Sequence, residues 1–160
     1  MADTPRRRIS VADAEALIGS RLSGWGTVRV PIDATGAEIL HQPVIAERTQ
    51  PPFDRVTMDG IAIRHSAFAG GLRAFTVAGT LGAGGTPVPL ADERSCVVIM
   101  TGAALPAGAD TVVPVERITR ENSIATISAD YQPAPGQFVH RRGSDHPQGA
   151  TLLQPGVVLG

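Results

Sequence analysis

Four charged side chains, Asp54, Arg55, Asp59 and Arg64, alternate with apolar residues in the run from Pro51 to Arg64. A carboxylate in such a setting can ligate a divalent cation or orient a bound water. An arginine fork can hold a phosphate or carboxylate through parallel hydrogen bonds. Asp59 also has a plainer role open to it, as a turn aspartate bonding the amides beside Gly60. Thr101, followed by Gly102, ends the apolar run Ser95-Cys96-Val97-Val98-Ile99-Met100. There it can present a hydroxyl and an amide to a ligand, or simply cap a turn. Arg141 and Arg142 can bind an oxyanion or pair with Asp145, although neighbours on a strand point to opposite faces. His140, Asp145 and His146 are metal-ligating types, but their spacing matches no tight zinc signature, so a metal triad is not expected.

Composition narrows the chemistry. All fourteen basic residues are arginine, which excludes a Schiff-base lysine and a phosphate-loop lysine while leaving bidentate arginine recognition open. The glycines at 79, 82, 84 and 85 precede no Lys-Ser/Thr pair and open no amphipathic helix, so they read as turns. No Gly-x-Ser-x-Gly elbow and no acid–base pair beyond Asp54 and Asp59 supports an independent hydrolase. A net charge of −1 gives no field for nucleic acid or membrane, and 4% aromatic residues are too few for base stacking. The single cysteine, Cys96, is expected as a buried small hydrophobe. No apolar stretch approaches the roughly 18 residues needed to span a bilayer, and Arg6-Arg7-Arg8 leads into no signal-peptide core, so the cytoplasm is expected.

The elements that must position these groups follow from spacing. Residues 1–8 read as a disordered tail, with a phosphate-binding arm as the alternative. Ser10 and Asp13 resemble a capping box, and Val11, Ala14, Leu17, Ile18 and Leu22 recur at helical spacing, which predicts a helix over 11–22. Gly24-Trp25-Gly26 breaks it. A strand is expected over 27–32, then a short helix from Asp33 through Leu40, then an extended segment over 41–47. Pro51 and Pro52 make the next approach extended and keep it outside any ladder. Asp59-Gly60 offers a turn with Gly60 at positive φ, and Ile61-Ala62-Ile63 a buried strand. Further strands are expected at 73–78, 95–100, 111–115 and 123–127, the last two joined as a hairpin through Arg120-Glu121-Asn122. Pro114 suggests an edge or a bulge. Residues 131–136 read as a linker, and 137–143 and 152–159 as strand or turn elements. The expected fold class is α+β and β-rich.

Pro52-Phe53-Asp54 followed by Met58-Asp59-Gly60, with Ala62 and Arg64 behind, resembles the signature of the molybdopterin molybdenumtransferases, the MoeA-type enzymes whose animal counterpart is the E domain of gephyrin. That family reads Pro-Pro-Phe-Asp-Asn-Ser-Ala-Met-Asp-Gly-Tyr-Ala, and Arg55, Val56, Thr57 and Ile61 depart from it. Met100-Thr101-Gly102-Ala103, Leu105-Pro106, Gly108-Ala109-Asp110 and Val112-Val113 are similar to a second family run. Arg141-Arg142-Gly143-Ser144-Asp145, with Gly149, Leu152, Leu153, Pro155 and Gly156, resembles a third, in which Ser144 replaces a glutamate.

The resemblance covers about residues 9–160 and the N-terminal region of the family only. It implies an elongated discontinuous domain over 9–48 and 135–160, with a small β-rich domain inserted over 49–134. The molybdopterin-binding α/β domain and the C-terminal β domain of the family lie after the matched region, so this chain alone is expected to be inactive. It further implies a homodimer in which Asp59 serves catalysis in the partner's cleft and ligates Mg²⁺, with Thr101, Gly102, Asp54 and Arg55 at the substrate. With the missing domains, the substrates implied are adenylylated molybdopterin and molybdate, with AMP released; no nucleic-acid or membrane partner is implied. The alternative is a related non-catalytic dimerisation or scaffold module.

Overall fold

The computed structural model describes residues 8–22 and 24–160. Of the tail expected over 1–8, all but Arg8 lies outside the described residues. The chain divides into two compact units, Met1–Pro43 with Gln154–Gly160, and Val44–Leu153.

In the first unit, α1 spans Val11–Arg21. Ser10 caps it: its hydroxyl accepts from the Asp13 amide at 3.1 Å and donates to the Asp13 carboxylate at 2.8 Å, so an otherwise orphaned N–H is satisfied. No residue of α1 is buried. The strand expected over 27–32 is absent: residues 27–31 pair with no strand among the described residues, and Ile32 opens a 3₁₀ turn. The helix expected from Asp33 to Leu40 shrinks to one 3₁₀ turn, Ile32–Ala34, and Ala37 at φ 67 takes the chain out of helical space. Residues 37–40 pair instead with the far end of the chain. Ala37 N donates to Leu159 O at 2.7 Å, Leu40 N to Val157 O at 2.8 Å, and Ile39 bridges Val158. This unit is discontinuous in sequence, closing at Pro43 and resuming at Gln154.

The second unit holds β1 (Val44–Ile45), β2 (Arg55–Val56), β3 (Gly60–Ile63), α2 (His65–Ala69), β4 (Ala74–Leu81), β5 (Ser95–Ile99), β6 (Thr111–Pro114), β7 (Ile118–Glu121), β8 (Ile124–Ile127), β9 (Val139–His140) and β10 (Thr151–Leu153). Six of these strands form one sheet in the order β6-β3-β5-β4-β8-β7, while β1 pairs with β10 and β2 with β9. Only β4 and β5 run parallel; the other pairs are antiparallel. The strand period of two assigns side chains to opposite faces. Ile61, Ile63, Cys96, Val98 and Val113 join Phe68, Phe75, Ala125 and Ile127 in one cluster. Ala62, Val97, Ile99 and Val112 join Val56, Leu81, Leu90 and Ala103 in the other. The fold is β-rich with few helices, as the strand pattern predicts, and Cys96 is fully buried.

Four local expectations need correction. Gly60 is not at positive φ; it begins β3 between β5 and β6, where an added Cβ would lie 1.9 Å from Val113 O. Close backbone approach is what requires glycine there. The hairpin through Arg120-Glu121-Asn122 joins β7 to β8, with Asn122 at φ 53, whereas β6 lies at the opposite end of the sheet. As an edge strand, β6 tolerates Pro114. β4 continues past residue 78 through Gly79, where its register with β5 shifts, so the turn is left to Gly82–Gly85. Helix α2 was not expected.

Candidate functional site

Three backbone segments of the second unit lie side by side and carry Asp54, Arg55 and Gly102 of the site residues expected from sequence. The 54–57 segment is central. Val56 N donates to Ala103 O, Gly102 N to Val56 O and Leu105 N to Asp54 O, at 2.9, 2.9 and 2.8 Å, which fixes it against 102–105. On its other side Arg55 and Val56 pair with His140 and Val139, and Thr57 N donates to Phe138 O at 3.0 Å. Val56 and Ala103 are fully buried and anchor the layer; burying a valine contributes roughly 1.5–3 kcal/mol. The polar residues between these anchors are thereby held on rigid backbone.

Asp59 stands at the start of β3 and Thr101 just past β5, on strands whose register opposes Gly60 to Ile99. Asp59 Oδ1 accepts from the Thr101 amide and from its hydroxyl, both at 2.7 Å. Oδ2 has no hydrogen-bond partner among the described residues, and the side chain is exposed. The Thr101 hydroxyl first, and then its amide, holds the Asp59 carboxyl below its ordinary 3.8, because both bonds favour the charged form. The Asp59 contacts are thus made to a residue forty-two positions away, not to the amides beside Gly60. Gly102, at φ 87, makes the bend that follows.

Asp54 has a different fate. Its Oδ1 accepts from the Arg142 amide at 2.8 Å and its Oδ2 from Arg141 Nη1 at 2.7 Å. The Arg142 amide most of all, together with the Arg141 guanidinium, holds this carboxyl low against a partial opposing effect of burial. Both oxygens are engaged, so Asp54 acts as a clamp on the 141–142 turn. Arg141 therefore pairs with Asp54, not with Asp145. Asp145 Oδ1 instead lies 2.8 Å from His140 Nε2, and His140 Nδ1 lies 3.3 Å from Arg55 Nη2. The partnership of Arg55 with His140 was not anticipated; only the strand register across positions 55 and 140 makes them neighbours, and no local pattern in the sequence encodes it. No hydrogen bond or ion pair among the described residues links the Asp59–Thr101 couple to Asp54 or Arg55. No group of three or more His, Cys, Asp or Glu side chains among them is placed to hold a metal ion, and no described helix is long and apolar enough to cross a membrane.

The profile of the MoeA N-terminal region (domain I and II) matches residues 9–160. The molybdopterin molybdenumtransferase of Synechocystis sp. is 36% identical over 91% of this chain, which spans 37% of that relative's length. Molybdopterin molybdenumtransferase 2 of Mycobacterium tuberculosis is 27% identical over 94% of the chain and 38% of its own length. A crystal structure of the molybdopterin biosynthesis MoeA protein of Pyrococcus horikoshii superposes with a TM-score of 0.73 at 28% identity, covering 82% of this chain and 35% of that one. A second structure of that protein gives 0.69 at 30% identity, over 92% and 38%. The chain thus spans well under half the length of the relatives it matches. It belongs to the MoeA family, and residues 9–160 are the counterpart of that family's N-terminal region.

Proposed function

We propose that this chain forms one wall of the active-site cleft of an enzyme of molybdenum cofactor biosynthesis, which inserts molybdenum from molybdate into adenylylated molybdopterin and releases AMP. The supporting observation is the state of Asp59: on an exposed side chain, one carboxylate oxygen is fixed by Thr101, while the other has no hydrogen-bond partner among the described residues. A carboxylate aimed in this way, and held ionised by its hydroxyl and amide donors, orients an N–H, an O–H or a metal-bound water of a ligand. The Thr101 hydroxyl gives its proton to Asp59, which leaves its lone pairs as acceptors for the same ligand. Gly102 and Arg55 support the substrate from the adjoining backbone, and Asp54 supports it indirectly by bracing that backbone against Arg141 and Arg142. The rest of the cleft would come from domains like those in the remainder of the longer relatives, which the chain does not span.

Mg²⁺ fits this wall only as a shared ion. Asp59 Oδ2 offers one oxygen, and the described residues hold no cluster that would complete a coordination shell. That matches the habit of Mg²⁺, which takes one or two carboxylates and fills its shell with phosphate oxygens and water. When bound, the ion would neutralise phosphate charge. A homodimer is supported by the first unit, where Leu17, Ile18, Trp25 and Ile32 remain 49, 57, 81 and 90% exposed. A second copy laid on such a surface would bury it. The enzyme works in the cytoplasm.

The test is Asp59→Asn in protein that carries the family's remaining domains. Asparagine keeps an Oδ1 acceptor for both Thr101 donors but has no charge. Molybdenum insertion is expected to fall on the order of a hundredfold, with the dimer intact. Equal insertion by the two proteins would remove Asp59 from the reaction. Those exposed apolar residues also suit the second reading, a scaffold module, for which a stable dimer that binds neither pterin nor nucleotide in any assembly would decide.

A further inference from the structure

Three arginines are half-buried among the described residues, and two have partners that account for them. Arg64 pairs with Glu93 at 3.4 Å and donates to Gly108 O at 3.2 Å. Arg73 donates to the carbonyls of Ser128 and Tyr131 at 3.0 and 3.2 Å and lies 5.0 Å over the Phe68 ring. Arg55 has one side-chain partner, His140 Nδ1, and forms no ion pair among the described residues. A guanidinium drawn partly out of water is ordinarily paired. Arg55 is short of a counterion.

The histidine explains how this charge is held without being neutralised. Asp145 Oδ1, 2.8 Å from His140 Nε2, accepts an N–H and so places the ring proton on Nε2. The lone pair at Nδ1 is then free to accept from Arg55 Nη2 at 3.3 Å. The strand register 55 to 140 on one side and the bridge to Ala104 on the other fix the Arg55 backbone. The only fully buried side-chain nitrogen or oxygen without a partner among the described residues is His146 Nδ1, so the unbonded N–H groups of Arg55 reach solvent. The two aspartates on these segments, Asp54 and Asp145, are engaged by Arg141 and His140.

We infer that Arg55, aimed by the His140–Asp145 pair, binds a tetrahedral oxyanion, either a phosphoryl group or molybdate, with His140 and Asp145 as positioning residues. The planar fork supplies parallel N–H groups to two oxygens of such a ligand. The inference rests on the reading that places Arg55 at the substrate, and it stands or falls on the Arg55 geometry separately from the role proposed for Asp59.

The experiment titrates the full chain with inorganic phosphate and, separately, with molybdate at constant ionic strength, following the Arg55 Nε–H and His140 ring nitrogen resonances. A saturable shift at Arg55 with either anion is expected, and the anion that binds more tightly names the source. Arg55→Gln should weaken binding by at least about tenfold. Should that variant not fold, Arg55→Lys, which keeps the charge but not the fork, is expected to show the same loss. His140→Phe should weaken binding several-fold with the Arg141 resonance unmoved. Asp145→Ala should shift the His140 ring nitrogens away from the Nε2–H pattern and weaken binding with them. No saturable shift with either anion, or full affinity in the folded Arg55 variant, would overturn the site. Full affinity in both His140→Phe and Asp145→Ala would overturn the positioning role. Molybdenum insertion tested at Asp59 is unaffected by either failure.

Discussion

Helix α1 and strand β5 are both apolar-patterned segments that form where their spacing places them, yet they end in opposite circumstances. All five residues of β5 are buried, and none of the eleven in α1 is. The strand lies inside a sheet with an apolar cluster on each face, so its alternating side chains are covered whichever way they point. The helix belongs to a unit in which no described residue is buried, and one apolar stripe without a facing layer stays wet. Periodicity therefore identifies an element but not what buries it. The Val44–Leu153 unit closes its own core. The other unit keeps its apolar side chains available to something else, which the proposed homodimer would supply.

The same substitution should act with opposite sign in these two places. At Gly60 a Cβ would meet Val113 O at 1.9 Å, whereas at Gly19 within α1 nothing lies within 4 Å. Gly60→Ala must push β6 away from β3 or abandon the pairing, and it is expected to destabilise by about 3 kcal/mol or more. Gly19→Ala removes backbone freedom in a helix with open space around it, and it is expected to stabilise by about 0.5 kcal/mol. Urea unfolding followed by circular dichroism measures both. A mild effect at Gly60 would mean that the sheet centre can yield, and the contrast between the units would weaken.

What was legible in the sequence follows the same line. The helix at 11–22, the buried strands around Ile61 and Val98, the edge position of Pro114 and the burial of Cys96 were all readable, because each depends on local spacing or on one residue's chemistry. The strand expected at 27–32 was not realised. Its alternation is real, but strand pairing needs a neighbour, and the first unit pairs residues 37–40 with 157–159 instead. At the site, Asp59, Thr101, Gly102, Asp54 and Arg55 could be named from motifs. Their bonds could not, since Asp54 meets Arg141 and Arg55 meets His140 only through the pairing of strands about eighty-five positions apart. The sequence around Gly60 points to a turn, whereas its requirement is set by the Val113 carbonyl of the distant strand β6.

Acid should separate the two aspartates from the core. The carboxyls of Asp54 and Asp59 are both held below the ordinary 3.8 in the folded chain. Each therefore favours folding fully above that value, and its contribution is lost as pH falls from there through the lower folded-state value. The Asp54–Arg141 pair is half exposed, at 34 and 52%, so screening limits what it adds. Asp54→Asn is expected to remove about 1 kcal/mol at neutral pH and to flatten the acid limb of stability against pH. Urea midpoints across the acid range test this, and an unchanged slope would mean that the 141–142 turn is held by backbone alone. By contrast Ile18→Ser, on the exposed face of α1, should change monomer stability by less than about 0.5 kcal/mol while shifting sedimentation toward the monomer. A large loss of monomer stability there would show that α1 is packed against its own chain after all.

The smallest effect on stability should come from the residue with the greatest proposed effect on function. Asp59→Asn leaves an acceptor at Oδ1 for the Thr101 amide and hydroxyl, and its exposed position asks nothing of the core. At neutral pH the urea midpoint is therefore expected to fall less than for Asp54→Asn, by the small contribution of the Asp59 charge, and in acid to converge on that of the wild type, which has lost the same contribution there. A functional carboxylate and a structural one part company here: Asp54 has both oxygens engaged and its loss should be felt in folding, whereas Asp59 has one oxygen engaged and its loss should be felt in the reaction. A midpoint lowered as far as that of Asp54→Asn would mean that the Asp59 charge serves chiefly to hold the end of β5 against β3 through Thr101, and the unpartnered Oδ2 would then say nothing about a ligand.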